Sequence, residues 1–135
     1  FLQQGLVRAE QAALLPGSGV DLIHFHPIPK TRRPWRTFLM LGRIIPKKGF
    51  GVFLDAAYDL TARYGPSARF LILGAPDPER AESRALFERI LRAHALGVIR
   101  YINRTDDVLP HLHDADVVVL PSTYNEGISD QASPC

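Results

Sequence analysis

The sequence predicts an α/β fold, a doubly wound and mainly parallel sheet. Three observations carry this. Four short apolar runs recur along the chain: "TFLML" (37–41), "ARFLIL" (68–73), "VIRYI" (98–102) and "DVVVL" (116–120). None alternates cleanly over its length, the pattern of strands buried on both faces of a parallel sheet. Helical patterns fill the gaps, so strand and helix alternate from residue 37 to residue 120. Right-handed crossovers then put helices on both faces of the sheet.

Each element has its own warrant. In "GFGVFLDAAYDLTARYG", Val52, Phe53, Ala56, Ala57, Leu60 and Tyr64 repeat at helical spacing. In "DPERAESRALFERILRAHALG", Asp77 is the expected N-cap and Pro78 the first helical residue. Its apolar stripe is Ala85, Leu86, Ile90 and Ala93, and Gly97 closes it. The third helix, in "DDVLPHLHDA", is short; Asp107 caps it and Pro110 falls in its first turn. Upstream, a further strand is expected at 12–15 and a turn at 16–19. The proline-rich, basic stretch 27–37 reads as a loop.

With 135 residues the chain is long enough for one compact domain, 1–135, and too short for two. Hydrophobic residues make up 46% and charged residues 22%, as in ordinary globular proteins. A formal net charge of +2 is too mild to argue for nucleic acid. The single cysteine, Cys135, allows no internal disulfide, so a reducing, cytoplasmic setting is expected. No apolar run approaches the roughly 20 residues that span a bilayer. The start, "FLQQGLVRAEQ", has no secretory-signal pattern and no initiator methionine; the chain reads as a piece of something longer.

Open α/β sheets bind ligands beyond the carboxyl ends of their strands. The first strand is followed by "GRIIPKKGF" and the last by "PSTYNEGIS". Arg43 and Lys48 leave the first loop and Glu126 the last. Gly42 lets backbone approach closely, and Gly49 opens a helix whose N-terminus favours an anion. Gly127 and Ile128 offer further backbone amides. Together these make an anion site with a carboxylate beside it, suited to a phosphorylated ligand that bears hydroxyl groups. On spacing alone, Arg43 and Lys48 are better read as solvated loop charges. No G-x-G-x-x-G, Walker lysine or G-x-S-x-G motif is present.

These stretches resemble a family. "GRIIPKKGFGVFLDAA", "ARFLILGAPDPE", "DVLPHLHDADVVVLPSTYNEGIS" and "GSGVDLIHFHPIP" are similar to segments of the retaining GT-B glycosyltransferases of family 4, the group 1 glycosyltransferases. The likeness runs to about Ser129, with the motifs in family order. It implies the Rossmann-like C-terminal half of a GT-B fold. It also implies transfer of a sugar from a UDP- or GDP-sugar to an acceptor, with retention and no essential metal or other cofactor. By the same resemblance Arg43 and Lys48 would bind the donor diphosphate and Gly42 would line it. Glu126, the catalytic candidate, would be the first acid of the Glu-x7-Glu motif and face the donor sugar, with Gly127 and Ile128 giving amides. The N-terminal acceptor domain would be missing, and the resemblance leaves room for peripheral membrane association of a full-length enzyme.

One departure weakens the likeness. The second acid of the motif should stand at position 134, where the chain has Pro134. An incomplete, truncated domain is therefore expected, inactive alone. The competing reading is a degenerate module that binds nucleotide or serves as an interaction surface without transfer. Other constellations read as structural. His24 and His26, like His111 and His113, lack a metal-site arrangement. Trp35 among its cations reads as a solvated loop, Asp106 and Asp107 as cap acids, and Asp114 and Asp116 as flanks of the last strand.

Overall fold

A computed structural model describes residues 19–123, together with Arg8 and Glu10. The strand expected at 12–15 and most of the following turn lie outside the described residues. So does everything after Thr123, including Glu126, Gly127, Ile128 and Pro134.

The described chain runs β1 (Arg36–Leu41), α1 (Phe50–Tyr64), β2 (Ala68–Leu73), α2 (Ala81–Ala95), β3 (Arg100–Ile102), α3 (Leu109–Asp114) and β4 (Val117–Val118). A 3-10 turn over Pro46–Lys48 leads into α1, and another over Gly65–Ser67 leads out of it. The strands form one parallel sheet in the order β3-β2-β1-β4. The doubly wound α/β expectation is met. Stretch 27–35 is irregular, as its prolines require.

Side chains alternate across the sheet, and each face is covered differently. Met40, Phe70 and Ile72 face α1 and α2 and pack with Phe50, Phe53, Leu54, Leu86 and Ile90. Phe70 stacks on Phe38 at 5.2 Å and meets Phe53 edge-on at 5.7 Å. Leu39, Leu71 and Leu73 face the other way, toward Ala115, Val108 and Leu112 at α3. Burial on both faces, expected from the continuous apolar runs, thus holds for β1 and β2.

Several local expectations are corrected. The α1 stripe is Phe50, Phe53, Leu54 and Ala57, at i, i+3, i+4 and i+7. Val52 and Tyr64 point outward, 57% and 61% exposed. Phe50 stands between two glycines, which hides the helix start in the sequence and with it the phase. At α2 the cap is Arg80, not Asp77. Asp77 instead closes the preceding turn, accepting from the Glu79 amide at 3.2 Å and pairing with Arg80 at 3.2 Å. Ser83, not Ala85, completes the buried face. Strand β3 begins only at Arg100, because the amides of Val98 and Ile99 are spent on the Ala93 carbonyl closing α2. Strand β4 is shorter than 116–120 and half exposed, because among the described residues only β1 flanks it. Asp107 is likewise not the cap of α3, which is Val108; its carboxylate accepts from the Leu109 amide at 3.0 Å, from one residue before the cap. The expectations for Gly97 and Pro110 hold. Gly97 adopts φ 72° and donates to His94; Pro110 lies in the first turn of α3.

The corrected phase of α1 can be measured. Leu54→Ala empties a fully buried position and is expected to cost about 2–5 kcal/mol. Val52→Ala should stay within about 0.5 kcal/mol. Urea denaturation giving equal costs for the two would contradict the observed face.

Candidate functional site

In the order β3-β2-β1-β4 the chain moves outward from β1 to β3, then returns to lie on the other side of β1. The reversal between β1 and β4 is a topological switch point. In open α/β sheets the strand exits at such a reversal border a crevice. The β1 exit carries Gly42, Arg43 and Lys48; the β4 exit carries Pro121, Ser122 and Thr123.

The structure brings these exits into contact. The Thr123 amide donates to the Lys47 carbonyl at 2.9 Å, and the Thr123 hydroxyl to the same oxygen at 3.1 Å. Gly49, the cap of α1, adopts φ 82° and lies flat beneath Pro121. A Cβ at Gly49 would strike the Pro121 carbonyl, so this position is closed to any side chain.

The β1 exit is anchored from below. Ile44 is wholly buried, and its amide donates to the Ala75 carbonyl at 2.9 Å. That anchor leaves Arg43, one residue earlier, exposed to solvent. Arg43 makes no hydrogen bond or ion pair with any described residue. The Lys48 stem lies across Gly42, its Cδ 3.7 Å from where a Cβ on Gly42 would sit. Both cations therefore issue from one short loop at the carboxyl edge. Gly42 itself donates to the Leu73 carbonyl at 3.0 Å, and its own carbonyl packs directly on Gly74.

A support that the sequence reading missed stands behind this loop. The Tyr101 hydroxyl donates to the Gly74 carbonyl at 2.9 Å. Burial raises the pKa of that phenol, keeping it protonated and able to donate. The chain from β3 through Gly74 to Gly42 is thus tied across three strand ends. The only sequence sign was the glycine following β2.

The remaining residues fall into place away from the crevice. Asp114 pairs with Arg33 and raises its pKa; Asp116 accepts from the Thr37 amide at 2.8 Å. Trp35 has the Arg69 guanidinium over its ring at 3.8 Å, so its face is occupied within the fold. His113 and His26 are neighbours, with His113 Nε2 3.1 Å from the His26 carbonyl. Among the described residues no three His, Cys, Asp or Glu side chains gather at a distance to hold a metal, and no helix is long and apolar enough to cross a membrane. The expected roles of Glu126, Gly127 and Ile128 lie outside the described residues.

The contact between the two exits makes a prediction of opposite signs. Gly49→Ala introduces both a clash and a strained φ, and is expected to destabilise by more than about 1 kcal/mol. Gly51→Ala, two residues on in a regular helix, would place its Cβ in ordinary contact with the flexible end of Arg89, 3.6 Å away, and should stabilise by about 0.4–1 kcal/mol. Thermal unfolding of the two variants tests this, and a neutral Gly49→Ala would show that the exits do not touch.

Comparison with known proteins agrees with this fold. No curated protein matches the chain. Among solved structures, the C-terminal domain of the glycosyl transferase group 1 protein LpcC from Francisella tularensis superposes with a TM-score of 0.64 at 23% identity, covering 79% of this chain and 60% of that one. Sucrose-phosphate synthase from Thermosynechococcus elongatus gives 0.55 at 24%, covering 79% and 28%. HepE of Anabaena in complex with UDP gives 0.54 at 20%, covering 69% and 25%. At these identities the likeness is one of fold, and the chain spans between a quarter and three fifths of these three structures. The family model for "Glycosyl transferases group 1" matches residues 35–130, from the loop before β1 to beyond the β4 exit. The chain belongs to the group 1 glycosyltransferases.

Proposed function

We propose that this chain is the donor-binding part of a GT-B glycosyltransferase of family 4. In this reading the enzyme moves a sugar from a UDP- or GDP-sugar to an acceptor with retention of configuration. One observation carries the proposal. The loop that holds Arg43 and Lys48 and the loop that leads to Glu126 meet at the switch point, joined by Thr123 and Lys47. Glu126 follows Thr123 by three residues, at most about 11 Å of chain. The crystal structures of HepE with UDP and with UDP-glucose support a nucleotide-sugar as the ligand class.

The chemistry then follows from charge. Breaking the bond between sugar and diphosphate leaves negative charge on the departing phosphate. Arg43 and Lys48, fixed at the rim of the crevice, stabilise that charge more than they stabilise the intact donor, which is what lowers a barrier. The amides at the α1 N-terminus add positive partial charge. Glu126 accepts hydrogen bonds from donor hydroxyls and orients the ring, while the Gly127 and Ile128 amides hold its oxygens. Gly42 keeps the floor low enough for the diphosphate to approach backbone. An N-terminal domain would bring the acceptor, and the setting would be the cytoplasm. Pro134, at the place of the motif's second acid, favours a second reading: a module that binds nucleotide without transfer.

Calorimetry with UDP and with GDP tests the donor assignment. Charge-assisted contacts contribute roughly 1.5–3 kcal/mol each. Arg43→Ala and Lys48→Ala should each weaken the preferred nucleotide about tenfold or more. Equal affinity in the wild type and the double variant would overturn the assignment. A transfer assay separates the two readings: a reconstituted two-domain protein that transfers sugar in a Glu126-dependent way excludes the binding module.

A further inference from the structure

The opposite edge of the sheet holds a cavity that the donor reading does not use. Its volume is about 550 Å³, the size of a small-molecule site. It opens at the amino ends of β1, β2 and β3, and is lined by Thr37, Thr61, Pro66, Arg69, Arg100 and Asp114 among others. Gly42 lies five steps along the chain from Thr37, about 16 Å of parallel strand. The two sites are therefore on different ends of the molecule.

The charges around the cavity are unevenly matched. Asp114 is neutralised by Arg33, and Asp116 lies 3.8 Å from Arg36. Arg69 and Arg100 have no carboxylate partner among the described residues. Arg69 is held in place by the Trp35 ring at 3.8 Å, a stacking contact that leaves the N–H groups at the guanidinium edge free to donate. The Thr61 hydroxyl is enclosed and has no hydrogen-bond partner. That oxygen has no accessible surface for a ligand to reach, so binding of an anion falls to the guanidinium groups. Helix carboxyl ends also face this edge and bring partial negative charge. Their carbonyls are already engaged: Gly65 donates to Thr61, Ala115 to His111, and Lys30 to Ala115. Two full guanidinium charges outweigh what remains.

We propose that this cavity is a second binding site, for a phosphoryl group held between Arg69 and Arg100. The planar guanidinium edge matches phosphate oxygens in pairs, Thr37 and Thr61 stand in the wall, and the apolar surface at Pro66 and Phe70 takes the less polar part of the ligand. A free phosphorylated compound and an anionic lipid headgroup present the same group. The site is independent of the donor reading and stands or falls without it.

The test is a titration of the isotope-labelled chain with inorganic phosphate, followed by amide chemical shifts. It is run in an Arg43→Ala/Lys48→Ala background so that phosphate at the carboxyl edge does not contribute. Shifts are expected at Thr61, Arg69 and Arg100. Arg69→Gln/Arg100→Gln should weaken them about tenfold or more. Arg100→Gln alone removes an exposed side chain that holds no described partner, so it reads out the site without threatening the fold. Co-sedimentation with phosphatidylglycerol and phosphatidylcholine vesicles is the second arm. Binding to the anionic vesicles alone, lost in Arg100→Gln, would identify a headgroup as the source; shifts with inorganic phosphate and no sedimentation would identify a soluble ligand. If neither arm depends on Arg69 or Arg100, the proposal is overturned.

Discussion

The hydrogen bonds between Thr37 and Asp116 fix what the crevice depends on. The Thr37 amide donates to the Asp116 carboxylate at 2.8 Å, and the Asp116 amide donates back to the Thr37 carbonyl at 2.8 Å. This pair joins the start of β1 to the start of β4, the two strands between which the chain order reverses. The Val119 amide, donating to Leu39 at 2.8 Å, continues the ladder. Register set at the amino end is carried along the strands to the carboxyl end. It decides that Pro121 arrives over Gly49 and Thr123 beside Lys47. Without the Asp116 carboxylate the Thr37 amide, on a residue only 4% exposed, would be left without an acceptor, a cost of about 1–3 kcal/mol.

The two ends of the sheet follow opposite designs. At the carboxyl end, glycines bring backbone against backbone: Gly49 under Pro121, and Gly74 against Gly42. Side chains are excluded there, and the strand exits meet through backbone. At the amino end, long side chains do the joining. Lys30, Arg33, Arg36 and Arg69 engage Ala115, Asp114, Asp116 and Trp35. Parallel α/β order produces this asymmetry, because helix N-termini gather at the carboxyl end and helix C-termini at the other. Anions are drawn to the first end by backbone, and cationic side chains to the second.

The sequence made most of the frame legible. Strands buried on two faces announce themselves as unbroken apolar runs, so β1 and β2 were found to within a residue. The Gly-Arg and Lys-Gly pairs were placed at the carboxyl edge by following directly on the first strand, where open α/β sheets bind ligands. Helix phase was less legible. Phe50 between Gly49 and Gly51 looks like loop, yet it is fully buried and sets the α1 face. Capping at α2 was misread because Asp77 and Pro78 carry the signature of a helix start but form the turn before it. The amino-edge cavity left no local signal. Thr61, Arg69 and Arg100 come from three separate elements, and only parallel pairing of β1, β2 and β3 assembles them. The Thr123–Lys47 contact was hidden for the same reason, spanning 76 residues of sequence.

Core and crevice are not separate here. Gly49 caps α1, its carbonyl accepts the first helical hydrogen bond from Phe53 at 3.0 Å, and the next residue is the fully buried Phe50. Ile44, equally buried, stands one residue after Arg43. Arg43 and Lys48 are thus each within two residues of a core anchor. Close-packed interiors transmit displacement rather than absorb it. A change of volume at Phe50 or Ile44 therefore moves Lys48 or Arg43 directly, whereas the same change at the exposed Val52 does not. The loop between β1 and α1 gains its fixed geometry from the core beneath it, and the crevice inherits its rigidity from the same side chains that hold the helix to the sheet.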